Sequence, residues 1–205
     1  MRIFLIILLS LLFFQIVIAG DIIFREGTFW QYRVSEEESN GPNFEVTSSY
    51  DYTVVVAKVG TPSSFKDTGV KFSKTIVKIA SVNVYNENSE IIDGGFFALE
   101  GDDSIWMFNT YGYGWMVYKS GLASGYTWKA EMQEDVVSKF VCSGYEDVKT
   151  KAGTFKNVMK IDSALEDDEE GRITYWVAKD IGMVKSISTN GYNTEITELV
   201  KYGKR

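Results

Sequence analysis

The sequence predicts an all-β protein, in which roughly 11–12 strands form a strongly curved antiparallel sheet after an N-terminal signal helix. Apolar and polar residues alternate with a period of two along most of the chain, as in half-buried strands. Clusters of Gly, Asn, Asp and Ser separate these extended runs at short intervals. No segment beyond the signal region shows a sustained 3.6-residue repeat. Because short turns join strands that pair antiparallel, we expect a half-barrel or a sandwich-like meander.

The chain opens with the pattern of a secretory signal peptide. Arg2 supplies a positive charge, and residues 3–18 carry no charge and consist mostly of Leu, Ile and Phe. Val17-Ile18-Ala19 then provides the small and branched residues that signal peptidase reads. The apolar run is shorter than the ~20 residues that a membrane span prefers, so an uncleaved anchor is the weaker alternative.

Cleavage after Ala19, or alternatively after Gly20, would leave one β-rich domain. We therefore divide the chain into a signal peptide over 1–19 and a single domain over 20–205. About 185 residues are enough to bury one substantial core. No cysteine follows the signal, which excludes lipid attachment at that point. We expect the mature protein to lie outside the cytoplasm, either periplasmic or secreted, and not to span a membrane.

Composition excludes several classes of function. The net charge is −7 and becomes more negative when Arg2 is removed, so binding to nucleic acid is not expected. Histidine is absent, which removes His-based triads and His zinc sites. The single cysteine, Cys142, cannot form an internal disulfide, and its strand-like surroundings predict a small buried side chain. The absence of an Asn-x-Ser/Thr sequon fits a prokaryotic source.

The extended runs are justified in chain order by alternation and by the turns that end them. In the run 44–57, the residues Phe44, Val46, Tyr50, Tyr52, Val54 and Val56 fall on one face and polar residues on the other. The run 70–85 is rich in β-branched residues, and its apolar parity shifts near Ile76-Val77, which predicts a bulge or bend. The other predicted strands are 28–34, 95–99, 104–110, 113–119, 126–132, 136–148, 154–162, 172–178, 183–189 and 194–202.

The C-terminal segment reads as a three-stranded meander over 172–202. The run 172–178 places Tyr175 on one face and Trp176 on the other, so both faces are expected to be partly covered. Lys179-Asp180-Ile181-Gly182 then predicts a four-residue hairpin loop, with Gly182 at positive φ. Asn190-Gly191 is a strong signal for the next hairpin. We interpret the segment as a corner in a sheet and not as the rim of an active site.

Three stretches resemble a recurrent pattern in exported bacterial proteins of unknown function. They are "VKTKAGTFKNVMKID" at 148–162, "TYWVAKDIGMVKS" at 174–186 and "GTFWQYRV" at 27–34. In these proteins an Ala-Gly-Thr-Phe corner precedes one strand, and an aromatic strand runs into a Gly-Met/Leu-Val-Lys strand. The resemblance implies a curved antiparallel sheet in the neighbourhood of the LolA- and LolB-like lipoprotein carriers. The chain lacks the lipidated cysteine of LolB-like proteins, which leaves a role in membrane delivery open.

Two short motifs imitate known sites. Asp67-Thr68-Gly69 spells the aspartic protease triplet, but no second triplet supplies the carboxylate that would share a proton, so a tight turn is predicted. The acidic runs 166–172 and 36–41 imitate the start of an EF-hand loop. Val177 and Thr47 stand where a bidentate Glu would be required, so we predict charged hairpin tips.

Aromatic residues crowd the segment 104–132. Their simplest role is core packing, because burying a ring stabilises a fold by about 2–3 kcal/mol. Their functional interpretation is a concave lining for an apolar ligand, because Trp and Tyr give a flat apolar body with one polar group. The candidate ligand-binding residues are Trp106, Tyr113, Trp115, Tyr126 and Trp128.

These observations favour a non-enzymatic exported binding or carrier protein for an apolar small molecule or lipid in the cell envelope. No catalytic residue, metal site or cofactor is predicted. The first alternative is an envelope protein–protein interaction module with a filled core. The second is a glycosidase that uses two carboxylates. Its candidates, named only for their nearness to aromatic residues, are Glu100, Asp102, Asp103 and Glu131.

Overall fold

The structure is a computed structural model that describes residues 24–40, 43–101, 103–166, 168–179, 181–190 and 193–205. The signal peptide and its cleavage site lie outside these ranges, so both stay predictions. Within the described part of the chain, no helix has the length and hydrophobicity that crossing a membrane would need.

Twelve antiparallel strands form one sheet that is nearly closed into a barrel, which confirms the predicted fold class. Eleven pairs of strands are neighbours in this sheet, and in ten of these pairs the two strands follow one another in the chain. The exception joins the first strand to the last. The strands are β1 Thr28–Asn40, β2 Asn43–Gly60, β3 Ile76–Tyr85, β4 Ile91–Glu100, β5 Ser104–Asn109, β6 Gly114–Lys119, β7 Thr127–Gln133, β8 Val136–Thr150, β9 Gly153–Leu165, β10 Asp168–Ala178, β11 Gly182–Asn190 and β12 Asn193–Lys204. Their order across the sheet is β6-β5-β4-β3-β2-β1-β12-β11-β10-β9-β8-β7.

The two end strands, β6 and β7, meet at a seam held by side chains. The indole Nε1 of Trp128 donates a hydrogen bond to the carbonyl of Met116 at 3.1 Å. Near the other end of the seam, Asn109 Nδ2 donates to the carbonyl of Met132 at 3.3 Å. These bonds replace the backbone ladder that joins every other pair of neighbouring strands.

Large side chains are buried in and around the barrel, whose lower end is the one where β1 begins and β12 ends. The largest fully buried ones are Trp30, Trp115, Tyr32, Tyr52, Tyr175, Phe97, Phe140, Ile79 and Ile105. All of these except Ile79 belong to the main hydrophobic cluster. Cys142 belongs to it too, as a buried free cysteine, which confirms its predicted role.

A second apolar cluster covers the outer face of β3, β4 and β5. The 3-10 helix Pro62–Thr68 and the residues after it bring Phe65, Val70 and Phe72 over Ile79 and Ala98. For this reason the strand predicted over 70–85 begins only at Ile76. A register shift between Ile76 and Lys78 confirms the predicted bulge. Asp67-Thr68-Gly69 ends this helix, with Gly69 at φ 76°, which confirms a turn there.

A bulge in β2 corrects the predicted face of one residue. The register between β1 and β2 shifts between Glu36 and Glu37, so that Ser48 pairs with Glu36 and Val46 with Glu37. This extra residue turns Val46 to the outer face, where it is 61% exposed. The alternation predicted for this run therefore does not point Val46 inwards.

The corner between β10 and β11 has the predicted positive φ at Gly182, but its loop is one residue shorter than the four predicted. Gly182 lies at φ 108° and pairs with Ala178, which leaves three residues in the loop. The indole of Trp30 donates to the carbonyl of Ile181 at 2.8 Å and ties the corner to β1. On β10, Tyr175 is buried inside, and Trp176 is buried outside beneath lysine side chains, so both faces are covered as expected.

Candidate functional site

The five aromatic candidates lie on different surfaces of the sheet. Trp106 is on the outer face, where its Nε1 donates to Glu100 Oε2 at 2.7 Å. Trp115 is 1% exposed and pairs with the inward-facing Met107. Tyr113 lies in the turn between β5 and β6.

Among these five, the rings of Tyr126 and Trp128 lie close together, with centroids 6.1 Å apart. Tyr126 is 48% exposed. Trp128 is partly buried and stacks on Phe140, with centroids 5.4 Å apart and planes 9° apart. Of the five, Trp128 therefore combines partial access with an inward-facing apolar neighbour.

The carboxylates considered for a glycosidase do not form an inward-facing pair among the described residues. Glu100 is bonded to Trp106 on the outer face. Asp103 lies in the turn before β5 and accepts a hydrogen bond from Ser104. Glu131 is exposed on β7, and Asp102 lies outside the described residues.

The interior becomes polar towards the upper end of the sheet, where the hairpins β1–β2, β3–β4 and β11–β12 turn. Directly opposite residues of an antiparallel pair point to the same face, so the strand registers give the inward-facing rows. One row runs Tyr50–Val34–Thr197–Ser186, and the next row above it runs Ser48–Glu36–Glu195–Ser188. We call the inward-facing residues Glu36, Tyr50, Tyr52, Ser186, Ser188, Glu195 and Thr197 the upper interior.

Two glutamates lie side by side in the upper interior. Glu36 of β1 pairs directly with Glu195 of β12. Such like charges repel each other across a strand pair, and burial adds to the cost. Burial first, and then the charge of Glu36, raises the pKa of Glu195 to about 7. Ser48 Oγ donates to Glu36 Oε2 at 2.7 Å, and no ion pair reaches either carboxylate within the described part of the chain.

Two buried hydroxyl groups adjoin this pair of glutamates. Tyr52 is 1% exposed and Thr197 is fully buried, yet neither Tyr52 OH nor Thr197 Oγ1 has a hydrogen-bond partner among the described residues. Thr197 lies two residues from Glu195 on the same face of β12. Burial, followed by the charges of Tyr32, Tyr50 and Glu195, raises the pKa of Tyr52, so its hydroxyl is within electrostatic reach of Glu195. A buried unpaired hydroxyl costs about 1–3 kcal/mol, which points to a group that satisfies it.

A third carboxylate faces inwards from β4. Asp93 pairs with Val84, which belongs to the interior core cluster. Burial raises the pKa of Asp93 to about 6, against the opposing effect of the Gly94 N–H that donates to it at 2.7 Å. Asp93 is therefore a third inward-facing acid, in the row that runs through Val84 and Val54 to Trp30.

The walls of the upper interior are made of small side chains. Ser186 and Ser188 on β11 are buried, and the row of Ser188 continues across β10 and β9 as Ile173 and Ser163. Ser163 in turn pairs with Phe140, the residue on which Trp128 stacks. The row thus leads from acids and hydroxyls to an apolar wall. This arrangement suits a ligand with one polar end.

A recess on the outer face offers a different chemistry. Its volume is about 390 Å³, and Gln31, Arg33, Asp51 and Glu87 contribute to its lining. Arg33 and Asp51 neutralise each other through bonds of 2.6 and 2.9 Å. Its polar groups are thus largely satisfied by one another, which makes it a weaker candidate than the upper interior.

The sequence analysis assigned Glu36 to a charged hairpin tip and did not single out Asp93 or Glu195. A usable signal was present in β12, where Glu195, Thr197 and Leu199 follow one another with a period of two. An acidic residue that is an even number of positions from a buried apolar residue of the same strand is predicted to face inwards.

No protein-family model matches the chain, and no curated protein matches it. Three solved bacterial structures are similar to it. A crystal structure of an exported protein with a YmcC-like fold from Bacteroides fragilis has a TM-score of 0.52 at 12% identity, over 93% of this chain and 100% of the other. A lipoprotein from Parabacteroides distasonis has a TM-score of 0.43 at 14% identity, over 90% and 100%. A beta-barrel-like protein of a domain of unknown function from Brucella abortus has a TM-score of 0.37 at 11% identity, over 89% and 99%. At these identities the likeness concerns the fold alone, and the chain shares that fold with the exported Bacteroides protein.

Proposed function

We propose that this chain is a non-enzymatic binding or carrier protein of the cell envelope, which holds a small ligand with an apolar body and a polar end in its upper interior. The observation that carries the proposal is the pair of buried, unpartnered hydroxyls of Tyr52 and Thr197. Burying unsatisfied polar groups lowers stability, so their retention is accounted for if a ligand supplies the missing hydrogen bonds.

The apolar part of the ligand would lie against Ile173, Phe140 and Trp128. This direction follows from the row that leads away from Glu195 and Ser188 across β10, β9 and β8. Trp128 is the member of the predicted aromatic lining that adjoins this row through Phe140. Its indole would therefore report on ligand binding through its fluorescence.

A location outside the cytoplasm is part of the proposal. The uncharged run at 3–18 supports it, and so does the similarity in fold to an exported bacterial protein. Neither observation identifies the ligand, which we place by chemistry alone.

The test is a substitution that fills the upper interior. The purified protein is mixed with decanol, decanoic acid or decylamine, and its melting temperature and tryptophan fluorescence are recorded. At least one of these probes is expected to raise the melting temperature, because binding to the folded state stabilises it. Ser188→Leu should abolish this response while the protein still folds. Thr189→Leu, at the next residue of β11 and on its opposite face, is the matched control.

Two outcomes would contradict the proposal. The first is a wild-type protein that responds to none of the three probes. The second is an unchanged probe response in Ser188→Leu. A loss of about 1–3 kcal/mol of stability in Ser188→Leu without any probe response would indicate an interior that is already filled.

A second candidate function, an interaction module, is favoured by the free edge of β2. The ladder between β2 and β3 begins at Thr53 and Tyr85, although β2 starts at Asn43. Beyond this point, the Asp51 N–H is bonded to Glu87 Oε1 at 2.8 Å in place of a strand. Exposed edges accept added strands from partner proteins. Ser49→Pro should weaken capture of such a partner and leave the response to decyl probes intact.

A further inference from the structure

We infer that the ligand's polar end is an organic cation, such as a protonated amine, held between Glu36 and Glu195 and hydrogen-bonded to the hydroxyls of Tyr52 and Thr197. The inference rests on the proposed function and narrows it to one class of ligand. A ligand without a positive charge would leave the repulsion between the two glutamates in place.

The geometry of the two acids supports a cation between them. Glu36 and Glu195 are directly opposite each other, so their Cβ atoms are expected to be about 4.5–5.5 Å apart. An ammonium group has three N–H donors and no acceptor, and each carboxylate accepts hydrogen bonds at both oxygens. Charge-assisted bonds of this type are roughly twice as strong as neutral ones.

The two hydroxyls suit the same group. A hydroxyl oxygen accepts hydrogen bonds through two lone pairs, and neither Tyr52 OH nor Thr197 Oγ1 has a partner in the described residues. The strand register places both residues below the acids, because Thr197 pairs with Val34 and Tyr52 pairs with Tyr32, two and four residues before Glu36 on β1. One ammonium group would offset one of the two negative charges, and its three N–H donors would suffice for both hydroxyls and one carboxylate oxygen.

The donor set fits an organic cation better than a metal ion. Calcium takes 6–8 oxygen ligands, and magnesium requires a near-ideal octahedron. Among the described residues, no group of three or more acidic, histidine or cysteine side chains could hold a metal. The neighbouring row of Ser188, Ile173 and Ser163 leads to an apolar wall, which suits the hydrocarbon part of an amine.

The experiment compares decylamine with decanol by calorimetric titration of the purified protein. At pH 8, the wild type is expected to bind decylamine at least tenfold more tightly than decanol. Glu195→Gln should remove this preference, so that the two probes bind with similar affinity. The matched control is Glu198→Gln on the same strand, whose carboxylate is paired with Lys185 at 3.2 Å. It should keep the preference.

The outcomes separate this inference from the proposed function. Equal binding of decylamine and decanol by the wild type would overturn the cationic ligand and leave a binding protein for apolar ligands. A preference that survives in both Glu195→Gln and Glu36→Gln would place the cation elsewhere and overturn the assignment. If calcium ions displaced decylamine at a concentration equal to that of decylamine, the site would be a metal site and the inference would be wrong. Binding of neither probe would overturn both proposals.

Discussion

Tyr32 and Tyr52 lie directly opposite each other on β1 and β2, and their stacked rings have centroids 5.3 Å apart, yet their hydroxyls differ in environment. Tyr32 OH donates to the carbonyl of Met183 at 2.9 Å. Tyr52 OH has no partner among the described residues. Two chemically identical side chains in equivalent positions therefore serve different ends. One hydroxyl fastens β1 to β11, and the other is left available in the interior.

This difference predicts opposite effects of the same substitution. Tyr32→Phe should lower the free energy of unfolding by about 1–1.5 kcal/mol, because it removes a buried hydrogen bond. Tyr52→Phe should leave the free energy of unfolding unchanged or raise it by up to about 1 kcal/mol, while weakening decylamine binding. Urea denaturation of both variants measures the difference. Equal destabilisation would show that Tyr52 OH has a structural partner.

The raised pKa of Glu195 predicts a dependence of stability on pH. Its folded pKa, about 7, lies above its ordinary value of 4.5, so the folded state favours the protonated acid. The corresponding stabilisation is complete below pH 4.5 and is lost as the pH rises through 7. Glu195→Gln should therefore be more stable than the wild type at pH 8, by on the order of 2 kcal/mol, and similar to it near pH 4.

Urea denaturation at both pH values provides the measurement. The groups that face Glu195 are Glu36, Tyr50 and Tyr52, and Asp93→Asn serves to separate the contribution of the third acid. A wild-type protein whose stability relative to Glu195→Gln does not change with pH would show that Glu195 is well solvated.

The positive φ of Gly182 predicts a local cost for a side chain. Gly182→Ala should lower the free energy of unfolding by about 1–2 kcal/mol, since φ 108° is strained for any residue with a Cβ atom. Probe binding per folded molecule should not change. Gly203→Ala on β12 is a suitable control, because an added Cβ would meet only Phe29 at 3.4 Å. A selective loss of probe binding in Gly182→Ala would instead assign the corner to the binding site.

The seam between β6 and β7 depends on Trp128. Trp128→Phe keeps an aromatic ring over Phe140 but removes the hydrogen bond to the carbonyl of Met116, and is expected to cost about 1–2 kcal/mol. In Trp128→Phe, the backbone amide hydrogens of β6 and β7 should exchange faster than those of β1 and β12. If exchange in the end strands stays at the wild-type rate, the seam does not depend on the hydrogen bond from Trp128.

If the signal peptide is cleaved during export, the protein recovered from its native host should be shorter than the full sequence. Intact-mass measurement of the protein recovered from that host should show the loss of residues 1–19 or 1–20. A recovered chain that still begins at Met1 would favour an uncleaved anchor.

The strands could be predicted from sequence because each is a local pattern between two turns, and every predicted run overlaps a strand. The outer cover by Phe65 and Phe72 could not be predicted, since alternation does not tell which face of a strand another segment will cover. The pairing of Glu36 with Glu195 could not be predicted either. It depends on the pairing of β1 with β12, the one pair of neighbouring strands in the sheet that do not follow one another in the chain.

The pairing of β1 with β12 also determines how the molecule responds to force. Thr28 lies opposite Lys204, so both ends of the described chain leave the sheet at its lower end, where the Arg205 N–H donates to the carbonyl of Gly27 at 2.9 Å. A pull on these two ends acts along the hydrogen bonds of the ladder, which run perpendicular to the strands. The bonds would therefore break one after another, as a zipper opens, at a much lower force than simultaneous shearing requires. The two six-strand halves would separate first, and the upper interior would open last.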